Sequence, residues 1–160
     1  MQDKFFTEIN SDNWYVQYGD EVQKVRDLFS RKQDSIKKED DKFFSKYWQV
    51  YAWAAIIGFI NDKRMHDADL KHQRSIQFKA ITNGSDKIAN ALVLMAIGKI
   101  EAKTHEEVLN IRNILTIISE YAEGGAKHIL ELRQTPSFES KFNYADDYFY
   151  EIVERVSKAK

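Results

Sequence analysis

The tightest group of side chains able to do chemistry is His66-Asp67-Ala68-Asp69-Leu70-Lys71-His72, which sets two imidazoles and two carboxylates within one short stretch. Nitrogen and oxygen donors at that spacing could hold a single metal ion or supply a general base, through His66, Asp69 and His72. The opposing reading is that the stretch simply faces water, where ionisable side chains ordinarily sit. A second group is the carboxylate row Asp147, Glu151 and Glu154. Residues at this spacing share a helix face and could meet a hard cation or an arginine-rich partner. Arg155 and Lys158 beside them equally describe a solvated face. The Glu-x-x-His pairs of helical di-iron proteins do not occur, Asp69-x-x-His72 being the nearest relative. There is no glycine-rich phosphate loop, no G-x-S-x-G elbow, no H-E-x-x-H helix and no cysteine. No cofactor follows from these residues, and the commonest motif-bearing enzymes are excluded.

The stretch from Lys63 to Lys79 is locally basic. Lys63, Arg64, Lys71, Arg74 and Lys79 are opposed there only by Asp67 and Asp69, a pattern that fits either phosphate contacts or an ordinary charged loop. The chain as a whole has 24 Lys and Arg against 25 Asp and Glu, a formal charge of −1, so any nucleic-acid surface has to be local. Aromatic side chains concentrate near the two ends: Phe5, Phe6, Trp14, Tyr15 and Tyr18 at one, Phe138, Phe142, Tyr144, Tyr148, Phe149 and Tyr150 at the other. They either cover the core or form a protein–protein surface, where Tyr, Trp and Phe are enriched. The leading expectation is therefore a non-catalytic interaction domain, a homo-oligomer or a subunit of a complex. A DNA-associated factor using the basic stretch and a motif-less metal-dependent enzyme are the alternatives.

Any of these groups must be positioned by helices. One proline and six glycines in 160 residues leave few interruptions, and 43% hydrophobic residues supply a core, so a single all-α domain over residues 1–160 is expected. Its five or six helices would surround a central apolar one. Val22, Val25, Leu28 and Phe29 recur at helical spacing from Asp20, which could cap that helix, to about Lys32. From Phe43 to Ile60 apolar residues fall on nearly every face, so this helix must be wrapped by others or by a second subunit. Ala52, Ala54, Ala55 and Gly58 offer it places for close backbone approach.

Ser85 is placed to cap a helix through Ile88, Leu92 and Met95 to about Ile100. Thr104 and Glu107 form a capping box for another that ends at Gly124-Gly125. A short helix over Ala126–Arg133 and a final one over Phe142–Lys158 complete the set. Trp14–Tyr18 and the alternation at Ile76–Ala80 could be strands paired in a minor ribbon. An aromatic ribbon ahead of helices also raises, as a minor option, a DNA-reading ribbon. Residues 1–10 lack an apolar secretory region, and the longest apolar run, Tyr51–Ile60, is too short to span a bilayer, which predicts a cytoplasmic protein without a membrane partner.

Within Phe44–Arg64, the run Val50-Tyr-Ala-Trp-Ala-Ala-Ile-Ile-Gly-Phe59 followed by Lys63-Arg64 resembles a helix of small proteins associated with bacterial DNA phosphorothioation systems. The likeness spans one helix. It implies a bacterial accessory protein in a DNA-modification or phage-defence setting, with no catalytic residue to carry over.

Overall fold

Side chains that are apolar on every side of a helix can only be buried if other elements surround it, and the computed structural model shows how that is done. It describes residues 2–30, 44–66, 74–101 and 104–134, together with Glu154 and Lys158. The elements, in order, are α1 (Gln2–Ile9), β1 (Tyr15–Tyr18), α2 (Asp20–Phe29), α3 (Tyr47–Ile60), β2 (Arg74–Gln77), α4 (Phe78–Gly84), α5 (Asp86–Ile97), α6 (His105–Val108) and α7 (Ile111–Arg133). The fold is mostly α, and the sheet seen among the described residues is the two-stranded antiparallel ribbon β1–β2.

Between Val50 and Phe59 of α3 every residue except Ile56 is buried. The helix packs chiefly along α7, with α2, α4 and α5 against its other sides. Trp53 is covered by Phe29 and Phe44, whose ring centroids lie 5.3 Å and 5.4 Å away. At its two ends α3 reaches water, through half-buried Tyr47, Trp48 and Gln49 at one and through half-buried Ile56 and Ile60, which is 56% exposed, at the other. Burying a large apolar side chain stabilises by roughly 1.5–3 kcal/mol, so this helix and its partners dominate the stability of the domain.

Small residues set the α3–α7 distance. A Cβ at Gly58 would lie 2.0 Å from the carbonyl oxygen of Tyr121, and one at Gly125 would lie 1.9 Å from that of Ala54. The two backbones therefore touch directly. This explains why the Gly124-Gly125 pair, which reads locally as a helix end, does not end one: α7 runs unbroken from Ile111 to Arg133. The cost of two glycines inside a helix, about 1 kcal/mol each, is offset by packing that no residue with a Cβ would permit.

Other boundaries differ from local expectation for identifiable reasons. The Thr104–Glu107 capping box is present, but the helix it opens is the four-residue α6. A new start follows, because the Asn110 side chain accepts from the N–H of Asn113 and caps α7. Asp20 does not cap α2. The N-cap is Gly19, which has no side chain to offer, and Asp20 is the first helical residue. α2 ends at Phe29 and α5 at Ile97, each a few residues before the expected limit. Ser85 does cap α5, accepting from the N–H of Ile88. α1 and α4 were not expected, and Phe78–Ala80 is the start of α4 rather than strand.

Candidate interaction surface

The ribbon owes its position to buried polar groups on α7. Ser119 accepts a hydrogen bond from the N–H of Gln17 at 2.9 Å and donates to the carbonyl of Leu115 at 2.7 Å. The Tyr51 hydroxyl donates to the Gln17 carbonyl at 3.2 Å. Burial raises the Tyr51 pKa far above its ordinary value, so the hydroxyl stays a donor. One turn further on, the Glu123 carboxylate accepts from the backbone N–H groups of Gly19 at 2.8 Å, Glu21 at 2.7 Å and Val22 at 3.4 Å. It thus caps α2 from another helix, where the negative charge meets the positive end of the helix dipole. Burial pushes its pKa up, and the three donors pull it back only in part.

With one edge of β1 held in this way, the opposite side of the ribbon is β2. The register pairs Tyr15 with Gln77, Val16 with Ile76, Gln17 with Ser75 and Tyr18 with Arg74. The N–H of Phe78 donates to the carbonyl of Trp14 at 3.0 Å, so 14/78, 16/76 and 18/74 are the hydrogen-bonded pairs. At the alternate positions backbone groups point away from the partner strand. On β1 the positions are Tyr15 and Gln17, the latter already satisfied by Ser119 and Tyr51. On β2 the positions are Ser75 and Gln77, and among the described residues their N–H groups have no acceptor. The outer face of the ribbon carries Tyr15, 47% exposed, whose hydroxyl accepts from the Gln77 side chain at 3.2 Å.

The basic residues singled out from the sequence are divided among several elements. Arg74 lies 3.7 Å from Asp20 and Lys79 lies 2.9 Å from Asp12, so these two flank the ribbon. Arg74, Asp20 and Asp12 are exposed and Lys79 is half-buried, and surface pairs of this kind are worth about 0–1 kcal/mol. Arg64 is held elsewhere: its Nε donates to Glu120 of α7, whose side chain is only 5% exposed. Lys63 is exposed, and its charge together with burial lowers the pKa of His128, burial being the larger cause. Lys71 lies outside the described residues. Of the metal-site candidates His66 is exposed, while Asp69 and His72 lie outside the described residues, as do Asp147 and Glu151 of the carboxylate row. Glu154 is ion-paired with Lys158. Among the described residues no group of three His, Cys, Asp or Glu side chains is placed to hold a metal. No helix there is long and apolar enough to cross a membrane.

A second polar constellation lies where α3 ends. Asp62 adopts a left-handed φ of 50°, with its N–H on the Phe59 carbonyl and the following N–H, of Lys63, on that of Gly58. This is a Schellman-type stop. The Asp62 carboxylate then accepts from Lys99 at 2.7 Å and from the Tyr121 hydroxyl at 2.9 Å. The hydrogen bond from Lys99, then that from Tyr121, hold the Asp62 carboxyl below the usual range, while the Lys99 pKa is raised chiefly by its bond to Asp62. The adjoining cleft, of about 410 Å³, is lined by Arg64, Lys99, Glu101, Asn113 and Thr116 over Ile100 and Ile117. Both of its cations already hold carboxylates, so the arrangement ties the ends of α3 and α5 to α7.

No family model, curated protein or solved structure matches the chain.

The residues that do most to place the ribbon, Tyr51, Ser119 and Glu123, and the Arg64 partner Glu120, escape local reading. The available signal was a row of polar side chains, Ser119, Glu120 and Glu123, set between apolar and small residues with no solvent face of their own.

Proposed function

We propose that this chain is a non-catalytic, cytoplasmic protein-interaction domain whose contact surface is built on the β1–β2 ribbon. The observation that carries the reading is the outer side of β2, where among the described residues the backbone donors of Ser75 and Gln77 have no acceptor, beside exposed Tyr15. An unpaired strand edge is a template for another chain, and a tyrosine with an apolar ring and polar tip is a common anchor in protein contacts. The buried polar groups support the same reading, since Ser119, Tyr51 and Glu123 are engaged with the protein's own backbone.

Light scattering after cross-linking in host extract tests this. Wild type is expected to be recovered in a particle heavier than the 18.8 kDa chain, and Tyr15→Glu is expected to lose it. A monodisperse single chain with no cross-linked partner, or a complex indifferent to Tyr15→Glu, would overturn the reading.

A DNA-associated accessory role is the competing proposal. It requires Lys63, Arg64, Lys71, Arg74 and Lys79 to contact phosphates, and three of these hold Glu120, Asp20 and Asp12. Duplex binding with steep salt dependence, lost when Lys63, Arg64 and Arg74 become Ala, would displace the protein-partner reading.

A further inference from the structure

We infer that Asn110 is a hinge on which α6 turns between the bent position seen here and a straight continuation of α7, and that the turn reshapes the groove between α7 and α1. The residues on both sides of Asn110 follow one helical pattern. Val108, Ile111, Leu115, Ile118 and Ala122 recur at helical spacing, and the last four are buried on α7. The apolar stripe that faces the core therefore runs on into α6, past the point where the backbone breaks.

The break itself is small. Leu109 has φ −93° and ψ 15°, and Asn110 has a helical φ of −73°. What departs is the Asn110 ψ of 107°, against about −42° in an α-helix. Rotation about that bond, with a smaller adjustment at Leu109, aligns α6 with α7. The N–H groups of Ile111, Arg112 and Asn113 then donate to the carbonyls of Glu107, Val108 and Leu109, as the i to i−4 ladder requires.

A single side chain opposes this. The Asn110 side-chain oxygen accepts from the N–H of Asn113 at 3.1 Å, a bond that cannot coexist with the straight ladder. Exposed backbone bonds are worth little net, so one cap is enough to choose between the two arrangements. Little of α6 is buried, since His105, Glu106 and Glu107 are exposed and Val108 is half-buried. A residue at the end of an element that absorbs the whole backbone change is the usual form of a hinge.

The hinge also stands in the wall of a cavity. Leu109, Asn110 and Ile111 line a groove of about 350 Å³ together with Phe5 of α1 and Trp14. In the straight form Val108 joins the face of Ile111, and Leu109 joins that of Arg112 and Thr116. One rotation thus changes which side chains border the groove.

The test uses the full chain labelled with ¹³C and ¹⁵N, as wild type, Asn110→Ala and Asn110→Asp. Alanine removes the cap and favours helix, whereas aspartate keeps a capping oxygen. In Asn110→Ala the Cα shifts of residues 109–111 should become helical and amide exchange at Ile111 and Arg112 should slow at least tenfold. The Trp14 indole N–H resonance should move with them. Asn110→Asp should match wild type in all three. The inference is overturned if Asn110→Ala keeps the bend, or if α6 melts so that shifts of residues 105–108 fall to coil values. Straightening in both variants alike, or straightening with an unmoved Trp14 signal, would overturn it as well. If Asn110→Ala fails to fold, ¹³C relaxation dispersion on wild type decides. Exchange at Leu109, Asn110 and Ile111 with a minor form of more helical Cα shift is expected, and flat profiles there would refute the hinge.

Discussion

Gly125→Ala gives the sharpest test of the packing described above, because two well-known effects oppose each other at that position. In an ordinary helix interior the substitution stabilises by about 1 kcal/mol. At Gly125 the new methyl would lie 1.9 Å from the Ala54 carbonyl oxygen and 2.6 Å from the Gly58 nitrogen, where 3.4–4 Å is ordinary contact. Both are backbone atoms, so no rotamer change relieves the clash and α3 must move away from α7. Overpacking of this kind costs typically 1–3 kcal/mol and occasionally more, and a radial gap of about 0.5–1 Å forfeits a quarter to a half of each contact's attraction along the interface. Since α3–α7 is the principal contact in the fold, a net loss of roughly 2–3 kcal/mol is expected, which for a chain of this size lowers Tm by roughly 4–12 °C. Gly98→Ala is the control: its nearest neighbours would be 3.5 Å and 3.6 Å away and its backbone is already right-handed helical. That variant should melt at or slightly above wild type, by up to about 1 kcal/mol of added stability. Thermal unfolding followed by circular dichroism reads both. If Gly125→Ala melts at or above wild type while Gly98→Ala behaves as stated, direct backbone contact between α3 and α7 is refuted.

Glu123→Ala should destabilise by roughly 2–4 kcal/mol in urea unfolding, since charge-assisted bonds to partly or fully buried N–H groups are lost, and an unchanged midpoint would contradict trans-capping of α2. Because burial raises the folded-state pKa of Glu123, its contribution is full below the ordinary carboxylate range and is lost as pH rises through the raised value. The stability gap between wild type and Glu123→Gln should therefore narrow from pH 4 to pH 7 in parallel urea titrations, and a widening gap would show the sign to be wrong. At Asp62, Gly keeps the left-handed backbone and loses only the contacts to Lys99 and Tyr121, whereas Ala loses both. Asp62→Ala should thus melt below Asp62→Gly in differential scanning calorimetry, and the reverse order would rule out a Schellman-type stop.

What could be read along the chain follows from the range of the forces involved. The apolar wrap of Val50–Phe59 and the Ser85 and Thr104 caps depend on neighbours within a few residues, and they stand where composition and spacing place them. The ribbon was also visible, as two short segments of strand-like residues at Trp14–Tyr18 and around Ile76. Gly124-Gly125 could not be read correctly, because only the distant backbone of Ala54 and Gly58 shows why glycine is required there. The cap on α2 was misassigned to Asp20 for the same reason, its true partner lying about a hundred residues away. At the candidate surface the cations were legible, but the carboxylates Asp12, Asp20 and Glu120 that hold three of them belong to other parts of the chain. That the N–H groups of Ser75 and Gln77 point away from β1 emerges only from the register.

The dependence of α3 on α7 bears on how the chain is made. During synthesis α3 leaves the ribosome well before Gly125, the residue on which its Gly58 comes to rest, has been translated. At about 5–20 residues per second that delay is roughly 3–13 s. For this period one of the most water-averse segments of the nascent polypeptide has no native mate, so a chaperone that shields Trp53 and its neighbours would be needed most while the second half is still being decoded.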